Sequence, residues 1–277
     1  GQNWHQPPWR PDALAEAAFV PFRDMLRTVL GHAGGLRIDH VLGLFRLWWV
    51  PEGFPAYAGT FVRFDYDAML SVLMLEAHRA GAIVVGEDLG TVEPWVQEAL
   101  AERGILGTSI LWFEAADGVI RDPYDWRRDV LASVTVHDLP PTAGYLRDEH
   151  VRIRAELGLL TTPVEAEREN AARERAAWAE VLRRHDWLAW DVDLDTEEGR
   201  DAYLVALHRA LAASPARLVG ISLPDVAGDR QAQNQPGTDQ EYPNWRVPMT
   251  DASGRAVTLE ALMAGTPLLS ALTDPLR

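Results

Sequence analysis

Short runs of aliphatic and β-branched residues alternate along the chain with longer stretches whose apolar positions recur every three to four residues. That alternation predicts an α/β fold built on parallel strands. Positions 12–30 read as helix, with Leu14, Ala17, Ala18, Met25 and Val29 among the apolar positions and Pro21 expected to break or kink it. A short strand over 36–39 follows Gly34-Gly35. An amphipathic helix over 67–80 is closed by Gly81. The next strand, 83–85, runs into Gly86-Glu87-Asp88-Leu89-Gly90, after which Thr91 is the expected cap of a helix that carries Glu93 in its first turn and stops at Gly104. Further strands are predicted over 108–113, 132–136 and 218–222.

Two stretches depart from this rhythm. Residues 152–193 are rich in Arg, Glu and Ala with charges of alternating sign, which reads as a helical insertion with solvated faces. Residues 224–250 are polar, contain four Pro, and are too long for an idle connection, so they are expected to carry function. No internal repeat or low-complexity segment interrupts the chain.

Composition narrows the chemistry. The 277 residues include no Cys, which excludes a disulfide framework, a thiolate zinc site and a cysteine nucleophile. All 26 basic residues are Arg, so Schiff-base chemistry, a lysine base and a Walker-type phosphate lysine are excluded as well. Against 41 Asp and Glu the formal charge is −15, which disfavours nucleic acid and anionic membrane as partners and points to a neutral or cationic ligand. No apolar run approaches the ~18–20 residues of a membrane-spanning helix. The opening Gly1-Gln2-Asn3-Trp4 shows no signal peptide, which with the absence of Cys suggests a cytoplasmic location.

Three acids stand where strands are predicted to end: Asp39 in Arg37-Ile38-Asp39-His40, Glu87 in Gly86-Glu87-Asp88, and Asp138 in Val136-His137-Asp138. Singly, an Asp after a strand reads as a cap or turn residue, and a lone His as structural. Together, on parallel strands whose C-terminal ends share one mouth, such acids could approach one another although they are far apart in sequence. A carboxyl cluster of that kind serves glycosyl transfer or a divalent metal site. A metal-dependent enolising site generally calls for a Lys or His base besides, and the absence of Lys weakens that option. Eleven Trp, among them Trp4, Trp9, Trp48, Trp49, Trp112 and Trp245, favour sugar, because aromatic faces stack on the apolar faces of glucose rings. One of Trp48 and Trp49 is expected in the core. Arg37, two residues before Asp39, leaves the same strand face and is placed to hold that carboxylate ionised.

At these residues the chain resembles the 4-alpha-glucanotransferases (amylomaltases, or disproportionating enzymes) of the long bacterial type. The matching segments are Gly35-Leu36-Arg37-Ile38-Asp39-His40-Val41-Leu42-Gly43-Leu44-Phe45-Arg46-Leu47-Trp48-Trp49, Gly86-Glu87-Asp88-Leu89-Gly90-Thr91-Val92 and His137-Asp138-Leu139-Pro140. To these are added Asp225-Val226-Ala227-Gly228, Asn234-Gln235-Pro236-Gly237-Thr238 and Glu241-Tyr242-Pro243-Asn244-Trp245-Arg246, with Gly1-Gln2-Asn3-Trp4 and Pro7-Pro8 at the start. Position 5 is His where the family's opening motif has Gly.

The resemblance implies a retaining double displacement on α-1,4-glucan without cofactor or metal. Asp39 would be the nucleophile, and Glu87 the general acid that becomes the base. Asp138 would bind hydroxyls of the distorted sugar, supported by His137 and Arg37, and Trp4, Trp245 and Asn234 would hold glucan and shield the intermediate from water. Glu87 would have to be protonated before attack, and the two carboxyls would lie about 5–5.5 Å apart. The implied fold is the C-terminal part, about strands 4 to 8, of a (β/α)8 TIM barrel. Residues 1–277 then form one partial catalytic domain, with 152–193 as its helical insertion and the N-terminal portion of the same enzyme as a missing partner. An α-glucan hydrolase of the amylase superfamily and a catalytically silent glucan-binding fragment remain as alternatives.

Overall fold

The computed structural model describes residues 6–116, 119–265 and 267–276. Trp4, and the opening motif around it, lie outside the described residues. The chain divides into two units, Gly1–Thr108 with Asp129–Leu131, and Ser109–Arg128 with Ala132–Arg277.

In the first unit, helix α1 (Pro11–Glu16) and helix α2 (Val20–Leu30) replace the single long helix read from the pattern. The break falls at Ala18 and Phe19, both at positive φ, and Pro21 sits in the first turn of α2, where its missing N–H costs nothing. Strand β1 (Gly35–Ile38) leads to an antiparallel hairpin that the pattern did not announce, β2 (Arg46–Trp49) against β3 (Thr60–Arg63). Trp48 and Trp49 are both half-buried there, so neither is a core residue. Helix α3 (Tyr66–Ala80) starts on Asp65, whose carboxylate accepts the Ala68 N–H at 3.1 Å, and ends on Gly81 at φ +62. It buries Met69, Leu70, Leu73 and Ala77 against Phe22, Leu26 and Leu30 of α2. Beside that seam Glu76 is nearly fully enclosed, and the guanidiniums of Arg27 and Arg79 hold its carboxyl below the usual range.

Strand β4 (Ile83–Gly86) pairs in parallel with β1, from Gly35 opposite Ile83 to Ile38 opposite Gly86. Helix α4 (Pro94–Ala101) is led by Glu93 with Pro94 in the first turn, so Thr91 is not its cap. Proline supplies a preset φ and needs no donor, which settles the helix start two residues later than the Thr signal suggests.

Strand β5 (Gly107–Ile110) stops short, the chain turning into a 3-10 helix over Leu111–Phe113. The short strands β6 (Ala115–Ala116) and β7 (Val119–Ile120) pair antiparallel. Strand β8 (Val130–Ser133) ends three residues before the pattern does, and β9 (Leu218–Gly220) completes a sheet of order β5-β8-β9. Helices α5 (Thr142–Tyr145), α6 (Glu149–Glu156), α7 (Val164–Arg184) and α8 (Glu197–Ala213) make up most of the rest of the second unit. Trp178, Val181 and Leu182 of α7 and Tyr203, Leu204, Leu207 and Leu211 of α8 are buried, and the Tyr203 hydroxyl donates to the Arg175 carbonyl at 2.7 Å. Burying a side chain of this size contributes about 1.5–3 kcal/mol, far more than the surface ion pairs along the same helices. Helix α9 (Leu223–Ala227) opens the long polar loop, and α10 (Leu259–Met263) and α11 (Pro267–Thr273) close the chain. Among the described residues no helix is long and apolar enough to cross a membrane.

Candidate active site

Parallel pairing of β1 and β4 sets the first pair of acids. Ile38 is opposite Gly86, so Asp39 and Glu87 are each the next residue after the last paired position. Adjacent strands lie about 4.8 Å apart, which makes the backbones of the two acids neighbours at the same strand end. The ladder continues through them, with the Glu87 N–H donating to Ile38 O at 2.8 Å and the Val41 N–H to Glu87 O at 3.0 Å.

Each acid is held. Arg37 Nη1 donates to Asp39 Oδ1 at 2.7 Å, while Asp39 remains exposed. Glu87 is half-buried, its Oε2 accepting the His40 N–H at 2.8 Å and its Oε1 the Leu89 N–H at 2.7 Å. His40 makes its bond from a left-handed backbone, φ +47. That conformation costs about 1–2 kcal/mol, offset by this hydrogen bond and by Val41, which the turn buries completely at about 1.5–3 kcal/mol. Gly86 makes room for this: a Cβ there would stand 2.9 Å from Val41 Cγ2. Behind Glu87, the buried Asp88 accepts the Thr108 N–H at 2.8 Å and Gln97 Nε2 at 3.2 Å.

In the second unit Asp138 lies on a turn beyond β8, closed by the Leu139 N–H on Val136 O at 3.0 Å and the Thr135 hydroxyl on Pro140 O at 2.9 Å. Its Oδ1 accepts Asn234 Nδ2 at 2.6 Å, and His137 Nε2 stands 3.5 Å from Oδ2. Trp245 is exposed, and its ring centroid lies 5.2 Å from that of His137. Its backbone is left-handed at φ +61, an uncommon state for a bulky residue, fixed by its N–H on Gln233 O at 2.8 Å. The structure therefore brings Asp138, His137, Asn234 and Trp245 together, and separately Arg37, Asp39 and Glu87. Trp112, read as a sugar platform, is instead packed away at 4.3 Å from Tyr145 and edge-on to Trp178.

The polar loop is stapled by its own side chains. Asn244 Oδ1 accepts the Gln235 N–H at 2.8 Å, its Nδ2 donates to the Thr238 hydroxyl at 2.8 Å, and the Tyr242 hydroxyl donates to Ala232 O at 2.6 Å. Two buried acids anchor its ends. Asp229 accepts the Thr250 hydroxyl at 2.8 Å, and Asp225 accepts both the N–H and the hydroxyl of Thr142 at 2.6 Å, joining the loop to the segment after Asp138. Sequence reasoning gave these acids no role. The cue that was present is the polar Asp at the start of a short helix beside Val226, since a buried carboxyl must find donors.

Complete burial pushes the Asp225 carboxyl up to about 6. The folded state then holds this proton more tightly than the unfolded chain does, so stability rises as pH falls from above 6 towards 4 and is lost as pH rises through that window. Asp225→Asn keeps an acceptor for the Thr142 N–H and abolishes the titration. Urea unfolding of both proteins at pH 7.5 and 4.5 should show the wild type gaining about 2 kcal/mol relative to the variant on acidification. Parallel changes in the two proteins would refute the assignment.

Among the described residues no group of three or more His, Asp or Glu side chains is placed to hold a metal ion. The model of glycoside hydrolase family 77, described as 4-alpha-glucanotransferase, matches residues 1–253. The chain belongs to the 4-alpha-glucanotransferase family. It is 56% identical over 265 residues to the 4-alpha-glucanotransferase of Mycobacterium tuberculosis (strain ATCC 25618 / H37Rv), covering 94% of this chain and 36% of that protein. To the 4-alpha-glucanotransferase of Haemophilus influenzae it is 34% identical over 248 residues, 88% of this chain and 36% of that one. The crystal structure of amylomaltase from Corynebacterium glutamicum superposes with a TM-score of 0.94 at 44% identity, covering 100% of this chain and 40% of the other. The chain thus spans little more than a third of the length of the glucanotransferases it matches.

Proposed function

We propose that this chain carries the catalytic residues of a 4-alpha-glucanotransferase that moves α-1,4-glucan segments between maltooligosaccharides through a covalent glycosyl-enzyme. The observation that carries the reading is the β1–β4 register, which makes Asp39 and Glu87 neighbours at one strand end. Strand spacing of about 4.8 Å suits the ~5–5.5 Å carboxyl separation of a retaining mechanism.

In the first half-reaction the Asp39 carboxylate attacks the anomeric carbon while Glu87 gives its proton to the departing glycosidic oxygen. The Arg37 bond orients Asp39 for attack. A protonated Glu87 keeps acceptor lone pairs, so one of its two N–H bonds can anchor it while the other oxygen faces the leaving group. In the second half-reaction Glu87 takes the proton of an acceptor hydroxyl, which displaces Asp39, and two inversions give net retention. Asp138, steadied by Asn234 and His137, accepts hydroxyls of the sugar undergoing transfer. Trp245 offers a ring face to glucan and, with Trp4, keeps water from the ester so that an acceptor sugar arrives first. The parallel strands are read as about strands 4 to 8 of one (β/α)8 barrel, with 152–193 inserted, and the further length of the relatives as the source of the remaining strands.

Incubating the full-length protein with maltotriose tests this. Transfer yields glucose together with maltopentaose and longer species at a constant number of reducing ends. A rise in reducing ends, with glucose and maltose as the sole products, would establish a hydrolase instead. Binding without turnover would leave a glucan-binding protein.

A further inference from the structure

The Asp138 side chain is exposed, so its direction depends on the backbone that carries it. That backbone is gripped from one distant stretch of the chain, residues 225–234. Asp225 Oδ1 accepts the Thr142 N–H and Oδ2 the Thr142 hydroxyl, each at 2.6 Å. Asn234 Nδ2 holds the Asp138 carboxylate itself, also at 2.6 Å. We propose that Asp225 is a positioning residue for glucan transfer, which sets the place of the Asp138 carboxylate through Thr142. The inference rests on the transferase reading and adds to it a buried acid that lies out of reach of the sugar.

The link between the two acids is stiff. Only Leu139, Pro140 and Pro141 separate Asp138 from Thr142, and the proline rings fix φ at two of the three. On the strand side the turn is closed by the Leu139 N–H on Val136 O and the Thr135 hydroxyl on Pro140 O. Thr142 opens α5, and Pro141 before it offers no side-chain cap, so the Thr142 N–H has no acceptor within its own helix. Asp225 supplies that acceptor from elsewhere in the chain, and both of its oxygens bond this one residue. Asp225 and Thr142 are fully enclosed, so these bonds face no competition from solvent.

The stretch that carries Asp225 is pinned in turn. Asp229, equally enclosed, accepts the Gln231 N–H at 3.0 Å and the Thr250 hydroxyl at 2.8 Å, which fixes the backbone around Arg230. Gly144 of α5 lies against that backbone, where a Cβ would stand 2.2 Å from Arg230 O. Helix α5 is thus seated on this stretch by backbone contact as well as by Asp225, and the Asp138 turn is tied to both. A misplacement of about 1 Å in a group that acts on the transition state can cost on the order of 10²-fold in rate, so a remote clasp of this kind is felt in catalysis.

The test uses the full-length protein with α-maltosyl fluoride as donor and maltose as acceptor, fluoride release giving the rate and the products showing transfer. Asp225→Ala should lower kcat about tenfold with KM within about twofold of wild type. Asp225→Asn restores an acceptor for the N–H and a donor for the hydroxyl oxygen, and should return kcat to within about threefold. In an Asp138→Asn background Asp225→Ala should cost less than about twofold, because the carboxylate whose place it sets is gone. A merely structural role would change the amount of folded enzyme and so multiply the rate by the same factor in both backgrounds. That result, an unchanged kcat in Asp225→Ala, or an Asn variant as slow as the Ala one, overturns the proposal. Thr142→Val keeps the backbone bond and removes only the hydroxyl; if Asp225→Ala unfolds, the same cycle with Thr142→Val decides in the same way. If the wild type transfers nothing, the transferase reading fails, and the cycle is read on hydrolysis or, without turnover, on maltoheptaose affinity by calorimetry. Losses that vanish in the Asp138→Asn background then support the positioning role, and losses that persist, or no loss at all, refute it.

Discussion

Replacing Asp39 by Asn should lower glucan transfer by at least about 10⁴-fold while leaving the fold intact, because the loss of a nucleophile removes the covalent route altogether. Asn is isosteric and its amide oxygen can still accept the Arg37 Nη1 bond now 2.7 Å long, so geometry is kept and only nucleophilicity is lost. The ion pair is largely exposed on the Asp39 side, and such pairs contribute about 0–1 kcal/mol, so the melting temperature should hardly move. Initial rates on maltotriose and a thermal melt read both halves of this expectation. A variant that keeps a tenth of the wild-type rate would remove Asp39 from the role of nucleophile.

Glu87→Gln should cost about 10²–10⁴-fold on maltotriose, the usual contribution of a general acid and base. The loss should depend on the leaving group. With α-maltosyl fluoride the C–F bond breaks without protonation, so Asp39 still forms the glycosyl ester, and the ester then accumulates because no base activates the acceptor hydroxyl. Azide, which needs no base, should release it as the α-configured maltosyl azide, by the second of two inversions. Equal loss on fluoride and maltotriose would argue for a structural role instead. Such a role has to be weighed, since Glu87 accepts two backbone N–H bonds and the amide can accept only one without turning N–H₂ towards a donor. That mismatch costs about 1–3 kcal/mol, which a urea midpoint measures independently of rate.

Local signals were legible where local forces decide the outcome. Helix α3 begins at an Asp cap and ends at a left-handed Gly close to where the pattern puts it, and β1 and β4 end at the acids because Gly86 and the His40 turn are written into the adjacent residues. The cap signal at Thr91 failed because Pro94 competes with it. The hairpin of β2 and β3 went unread because the ten residues 50–59 that join its strands exceed a tight turn; Trp48 secures it by donating to Ala56 O at 2.8 Å, and Gly59 must be Gly because a Cβ would stand 2.5 Å from the Trp48 indole nitrogen.

By itself the sequence determined which side chains are available for chemistry and put forward the carboxyls proposed to bear it. It has no Cys, no Lys, an excess of acids, and carboxyls placed at strand ends by β-branched runs and turn residues only a few positions away. Tertiary structure decided what surrounds them. Asn234 reaches Asp138 across 96 residues and Asp225 reaches Thr142 across 83. Trp178, Val181 and Leu182 turn one face of the charged helix α7 into the core, and Glu174 of the same helix is thereby brought to the Tyr145 hydroxyl of α5. A periodicity reports which face of an element is apolar; which other element covers that face, and so which polar side chains are carried into a common wall, depends on packing between segments distant in the chain.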